Sequence, residues 1–265
     1  RLDELEARDK QDAWLGVAWR GVKGQRVELE HRLGTEDREG NARERGGRRR
    51  YHVTFNDIER AMTSLNWEAE WAGSLETQLR AYRSTIDVEN RRTAGVTVNV
   101  PQRVEEQVLE GQARRPFGAH ALAAGFEARN ESLDDPGLPS GRGMLPHRSL
   151  FVQDEWRIAQ PLTLTAGLRR DEHSQYGSEW SPRAYAVWRI AEAWTVKGGY
   201  SHGFKVPNLK QVVLGERSEG PNIFLGNPDL KPERSDAIEL GIGYAAGPVQ
   251  AQLMAFDQRV DDLIE

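Results

Sequence analysis

Glu28, Glu30, Glu68, Glu70, Glu155 and Glu239 are carboxylates whose spacing could do chemistry. Two acids two residues apart could share general-acid and general-base work. An extended chain, however, sets residues i and i+2 side by side on one face. Arg32, Arg157, Arg169 and Arg183 stand at positions from which they could neutralise such a face across strands. The carboxylates are therefore read as a charged strand face, and no enzymatic activity is expected. The six histidines show no ligand spacing and there is no cysteine, so no metal site and no cofactor is expected. GIGYAAG (241–247) fails the dinucleotide fingerprint, because no helix follows its strand. Asn130-Glu131-Ser132 has meaning as a glycosylation acceptor only in a eukaryotic secreted protein and is read as coincidence. The densest basic run, RERGGRRR (43–50), could hold phosphates, but a net charge of −5 gives no support for a nucleic-acid partner.

The elements that must position these residues read as strands. RVELEHRL (26–33) places Val27, Leu29 and Leu33 opposite Arg26, Glu28, Glu30 and Arg32, with His31 the one polar residue on the apolar side. LNWEAEW (65–71), LTLTAGLRRDEH (162–173), SPRAYAVWRI (181–190) and DAIELGIGY (236–244) alternate in the same way. Glu and Arg rows this dense cannot point into a dry core, because unpaired buried charge costs several kcal/mol. The apolar rows carry aromatics near strand ends: Trp71, Trp156, Trp194 and Tyr244. No apolar run approaches the roughly 20 residues of a membrane-spanning helix. The 38% hydrophobic content suggests a soluble chain, but a transmembrane barrel alternates lipid-facing with lumen-facing residues and has long polar loops.

The pattern predicts about 12 strands, at 12–20, 25–37, 58–71, 75–86, 103–112, 118–130, 148–158, 162–173, 181–190, 194–205, 235–244 and 249–258. Residues 1–11 are left as loop or short helix. Links at 21–24, 72–74, 113–117, 159–161, 191–193 and 245–248 are short. Those at 38–57, 87–102, 131–147 and 206–234 are long and polar, while 174–180 is brief. In a meander, alternating short and long links put the tight turns on one rim and the long loops on the other, as in outer-membrane barrels. The expected fold is all-β: an antiparallel up-and-down transmembrane β-barrel whose apolar faces meet lipid. Asp154 falls on an apolar face, which predicts either a place near the interface or a bulge.

SLFVQDEWRI (149–158), LTLTAGLRRDEH, WSPRAYAVWRI, TVKGGYSHGFKVPNLKQV (195–212) and GNPDLKPERSDAIELGIGY (226–244) resemble, in that order, the barrel of TonB-dependent outer-membrane receptors. GNPDLKPERSD and GFKVPNL are the most specific pieces, and they are most similar to the enterobactin and colicin receptor branch. The likeness is strong over 148–265 and weaker over 1–147, where HALAAGFEARNE (120–131) supports it. The resemblance implies a barrel of about 22 strands filled by an N-terminal plug. It also implies uptake of a ferric siderophore driven by the TonB complex. About 12 strands make this an internal barrel fragment, residues 1–265 forming one partial barrel domain. It is expected to lack the plug domain that meets TonB and the closing strands.

The motif is also legible without the family. Pro228 and Pro232 fix φ and remove donors, which suits a rigid loop entering a strand. Asp229, Lys231, Glu233 and Arg234 could form a rim ion network. Ferric catecholates are anionic, so basic and aromatic residues near the mouth are the candidate ligand contacts: Arg142, His147, Arg148, Tyr176, Lys205, Lys210 and Arg217, with His202 beside them. The 43–50 run could meet lipopolysaccharide phosphates or remain a solvated loop. The expected partners are thus a ferric siderophore, outer-membrane lipid and lipopolysaccharide, and TonB through a plug. Cobalamin and haem are alternative ligands, and a soluble all-β carbohydrate-binding module is the alternative class. A dry interior would mark that module; a passive porin fails on the GNPDLKPERSD motif.

Overall fold

The computed structural model describes residues 7–43, 48–96, 101–136, 138, 140–212, 216–219 and 222–264; the side chains of Lys210, 216–219 and 222–225 are outside that description. Twelve strands run antiparallel in one sheet, each hydrogen-bonded to its neighbours in sequence order. They are β1 (Ala7–Trp19), β2 (Gln25–Arg43), β3 (Tyr51–Trp71), β4 (Leu75–Arg92), β5 (Gln102–Phe117), β6 (His120–Asp134), β7 (Arg142–Ala159), β8 (Leu162–His173), β9 (Gly177–Ala191), β10 (Trp194–Lys205), β13 (Glu233–Ala246) and β14 (Val249–Asp261). Between β10 and β13 lie a one-turn helix α1 (Leu209–Val212) and a hairpin of β11 (Glu216–Glu219) and β12 (Asn222–Leu225). The fold is all-β apart from that turn of helix. Among the described residues, no helix is long and apolar enough to cross a membrane.

All twelve expected strands are present, but most are longer at the loop rim than periodicity predicted. β3 starts at Tyr51 rather than 58 and β7 at Arg142 rather than 148, so the 38–57 and 131–147 loops shrink. Residues 7–11 belong to β1, not to a loop or helix, and residues 1–6 lie outside the described residues. The tight turns fall where expected. Gly24 at φ +74° closes the first: a Cβ there would meet the Glu70 carbonyl at 2.8 Å, while the Glu70 amide donates to the Gly24 carbonyl at 2.7 Å. Gly118, at φ +59°, does the same between β5 and β6.

Paired Cα partners share a face. One row runs Val17, Leu29, Leu65, Ala81, Leu109, and another Trp156, Leu164, Ala186, Gly198, Leu240, Ala255. The opposite face carries rows such as Glu30, Ser64, Tyr82, Val108, Arg129, His147, His173. Among the described residues no second sheet covers the apolar face: the backbones of the long strands lie against their ladder neighbours and, for β6 and β7, α1. Leu15, Leu150 and Leu240 are accordingly 67, 64 and 61% exposed. Leaving so much contiguous apolar surface in water would be prohibitive, so the rows are lipid-facing and the charged rows line the lumen. The soluble-module reading, which needs a dry interior, fails here. Beyond Leu33 the outward positions of β2 become Thr35, Asp37 and Glu39, and beyond Leu168 those of β8 become Arg170 and Glu172. The apolar band ends at that level, and the strands continue above it with both faces wet.

The aromatics gather at the tight-turn rim. Trp194 and Tyr244 lie 4.9 Å apart and Trp67 and Trp71 6.1 Å apart, as an interfacial girdle requires. His31, the polar residue on the apolar side, finds the outward Thr63 hydroxyl at 2.9 Å. Asp154 does face outward, close to the tight-turn end of β7, with His120 Nδ1 2.6 Å from its Oδ2. No bulge occurs at Asp154; the ladder shifts instead between Arg157 and Ala159.

Candidate functional site

The lumen wall above the apolar band carries the chemistry. His147, on β7, faces Asp171 on β8 at 2.9 Å, and Arg169 reaches the same carboxylate at 3.0 Å from its own strand. Burial alone would raise the Asp171 carboxyl, but the His147 hydrogen bond and the Arg169 charge outweigh it and hold the group below its ordinary range. His173, in the same row as His147, is held low by burial and by that neighbouring imidazole. Tyr176 stacks 5.0 Å from His173, and burial raises its phenol. His202 sits 3.0 Å from Asp236 and 4.0 Å from Glu179. A cavity of about 290 Å³ joins this set, lined by His147, Arg169, Asp171, Ser181, His202 and Phe204.

A second cluster stands on β1 to β3. Glu36, 1% exposed, receives Arg8 at 2.6 Å, Arg38 at 2.5 Å and Arg60 at 2.8 Å. The Arg38 hydrogen bond, against burial and with help from Arg60 and Arg8, lowers the Glu36 carboxyl to about 2. Three guanidinium groups thus converge on one carboxylate on the lumen face. Sequence reasoning missed this cluster. The ladder alone brings it together, pairing Gly34 with Arg60 and Arg8 with Arg38. Each of these residues occupies an alternate lumen-facing position, the only signal that could have found them.

The predicted contacts separate. His147 and Tyr176 come together through His173. Arg142, at the start of β7, pairs with Asp134 at 3.4 Å. Arg148 shares a row with Ala128 and Glu172, on the lipid-side face above the band, and does not join His147. Lys205 is 70% exposed and bound to Glu233 at 3.1 Å. Lys210 lies on α1 and Arg217 on β11, with side chains outside the described residues. In the basic run, 44–47 lie outside the described residues. Arg43 donates to the Arg49 carbonyl and Arg50 to those of Ala94 and Gly95, so these members tie loops together. The rim ion network is split: Glu233 goes to Lys205 and Arg234 to Glu179 at 2.8 Å. Carboxylates are neutralised across strands, as expected, by Arg26 on Glu68, Arg80 on Glu110 and Arg129 on Glu106, and also along a strand, by Arg26 on Glu28 and by Arg32, which stays with Glu30. Arg169 on Glu127 does reach across β7.

The two most specific motifs meet. Asn208 caps α1: its side-chain oxygen accepts from the Gln211 amide at 3.0 Å, and Gln211 Oε1 accepts from the Asn208 amide at 2.9 Å. The Asn227 amide then donates to the Gln211 carbonyl at 2.7 Å. Leu209 and Val212 bury against Leu133, Leu138 and Leu145, with Tyr176 and Leu230 at the edge. Residues 209–212 and Leu230 thus rest on the lumen side of β6 and β7.

The family model "TonB dependent receptor-like, beta-barrel" matches residues 7–265. An iron-regulated outer membrane virulence protein of Vibrio cholerae is 34% identical over 251 residues, covering 90% of this chain and 37% of that protein. The ferric enterobactin receptor PirA of Pseudomonas aeruginosa is 35% identical over 205 residues, 66% of this chain and 27% of the receptor. The crystal structure of the siderophore receptor PirA from Acinetobacter baumannii superposes with a TM-score of 0.79 at 22% identity, over 98% of this chain and 44% of that one, which shows the fold. The chain spans less than half the length of these relatives, as a partial barrel must. The lipid-facing rows, the hairpin order and the matched model agree, and the chain belongs to the TonB-dependent receptor β-barrel family of the bacterial outer membrane.

Proposed function

We propose that the intact protein takes up a ferric siderophore of the catecholate type, captured at the loop rim and passed inward through a TonB-driven plug rearrangement. The observation that carries this reading is the gathering of the Arg8, Arg38 and Arg60 guanidinium groups around Glu36, on the lumen wall where an anionic complex would enter. The cavity lined by His147, Arg169 and His202 adds hydrogen-bond donors. The P. aeruginosa relative named for ferric enterobactin supports the same ligand class. Of the seven predicted contacts, His147 and Tyr176 are retained in this proposal. Arg142, Lys205, Lys210 and Arg217 remain candidates at the rim, while Arg148 would meet lipid headgroups or lipopolysaccharide instead.

The test is binding to the intact receptor, followed by quenching of its tryptophan fluorescence. Ferric enterobactin should bind more tightly than cobalamin or haem. Replacing Arg8 and Arg60 with Gln should weaken it by about ten-fold or more, since charged hydrogen bonds are worth about 1.5–3 kcal/mol. Preferential binding of cobalamin or haem, with ferric catecholate ignored, would overturn the assignment.

A further inference from the structure

Two histidines share a row at the mouth, and their surroundings fit them for different tasks. His173 is buried, and its Nδ1 accepts the Gln175 amide at 3.2 Å. Protonation there would cost that bond. Burial and the neighbouring His147 hold the His173 ring low, so it stays neutral. His147 is bound differently. Its Nε2 lies 2.9 Å from Asp171 Oδ1. Burial would raise the Asp171 carboxyl, but the His147 hydrogen bond and the Arg169 charge hold it low, and it is ionised. An ionised carboxylate can only accept, so the proton of neutral His147 sits on Nε2. Nδ1 is left with no hydrogen-bond partner among the described residues, on a ring that lines the cavity of about 290 Å³ with Arg169 and His202.

The cations facing this cavity are already engaged. On β8, Arg169 shares the Asp171 carboxylate at 3.0 Å. On β6, Arg129, the ladder partner of His147, goes to Glu106 at 3.3 Å and Glu127 at 3.1 Å. Glu131, two residues further along β6, accepts the Leu209 amide of α1 at 3.4 Å. On the β10 side, His202 has carboxylates of its own, Asp236 at 3.0 Å and Glu179 at 4.0 Å. Tyr200 also donates to Asp236, and Arg234 holds Glu179 at 2.8 Å. An anion entering here therefore looks to His147. Neutral, that ring offers a lone pair at Nδ1, which an anionic oxygen avoids. Protonated, it offers a charged N–H, with Asp171 behind it as the counter-charge.

The geometry points to Asp171 as a positioning residue that leaves His147 Nδ1 free for the cavity, and to His147 as the group that takes up one proton when an anionic ligand binds there. The proton comes from solvent, bonds to the Nδ1 lone pair, and is shared with the anionic oxygen of the ligand; no other bond changes. The inference rests on the reading of this cavity as part of the siderophore route, and it ties affinity to the pH at the mouth. Because the bound state holds the extra proton, binding strengthens as pH falls through the imidazole range.

The affinity of the intact receptor for ferric enterobactin is measured from pH 6 to pH 8 by tryptophan quenching. Proton uptake is measured at pH 7 by calorimetry in buffers of unlike ionisation enthalpy. His147→Gln keeps hydrogen-bonding groups but cannot titrate. The ratio of native to His147→Gln affinity should fall about ten-fold from pH 6 to pH 8, and the titration of the ligand itself cancels in that ratio. The native receptor should take up most of one proton and His147→Gln none. Asp171→Asn keeps the shape and removes the counter-charge, so it should lose the same pH dependence. A residue that only propped the wall would instead weaken binding evenly at every pH. A ratio independent of pH, in a receptor that binds the ligand, would overturn this inference and leave the uptake reading standing. No binding at any pH would end both. If Asp171→Asn does not fold, the His147→Gln ratio decides alone.

Discussion

Leu164 offers the sharpest test of which face meets lipid. It lies on the apolar stripe of β8, between Leu162 and Ala166, with Trp156 and Ala186 beside it on the ladder. Leu164→Arg puts a guanidinium on the lipid face just inside the tight-turn interface, at a cost above the roughly 0–1 kcal/mol of an interfacial position and below the roughly 2–4 kcal/mol of the midplane. Leu168→Arg, one step below the outward Arg170, lies near the interface and should cost about 0–1 kcal/mol. Thr165→Arg points into the lumen between Glu155 and Tyr185 and should stay within about 0.5 kcal/mol. The assay is denaturant unfolding of the intact receptor in lipid vesicles, followed by tryptophan emission. The order Leu164 above Leu168, with Thr165 near zero, is the signature of the lipid face. If Thr165→Arg were as damaging as Leu164→Arg, the assignment of faces would be wrong.

Two further outcomes follow from the rim. The Glu36 carboxyl is depressed, so its contribution to stability is complete above its ordinary value of 4.5 and is lost as pH falls toward about 2. The difference in unfolding midpoint between the native protein and Glu36→Gln should therefore shrink across that window, and a difference independent of pH would refute the ion cluster. Leu209→Ala removes a buried side chain from the mouth and should cost about 2–5 kcal/mol locally. It should appear as faster proteolytic nicking within 206–232, with the unfolding midpoint of the barrel little changed.

Period-two alternation made the strands legible within the bilayer, because lipid on one side and water on the other leave no other pattern. Above the band that contrast disappears. Tyr51 to Asp57 and Arg142 to His147 lie above the hydrocarbon, Leu145 covered by α1, so their sequence reads as loop although their backbones remain paired. The site was legible only in part. His147 was visible as a basic residue near the mouth, but its partner Asp171 is set by the ladder that aligns His147 with His173. The Arg cluster on Glu36 needs three strands in register before it exists at all. The helix in the 206–234 loop was readable in principle, since Asn208 and Gln211 have capping-box spacing, but a single turn gives no periodicity to find.

Wiring of this kind has a consequence for how such a barrel changes. Because the backbone of each long strand is hydrogen-bonded only to the strands beside it, a hairpin is a removable stave. Excising β8 and β9 together would set β7 against β10 with the up-down order intact, and duplicating them would widen the pore by two staves. Girth is thus open to inheritance in hairpin steps, with only side chains that reach over a strand, such as Glu127 and Arg234, needing to change in concert.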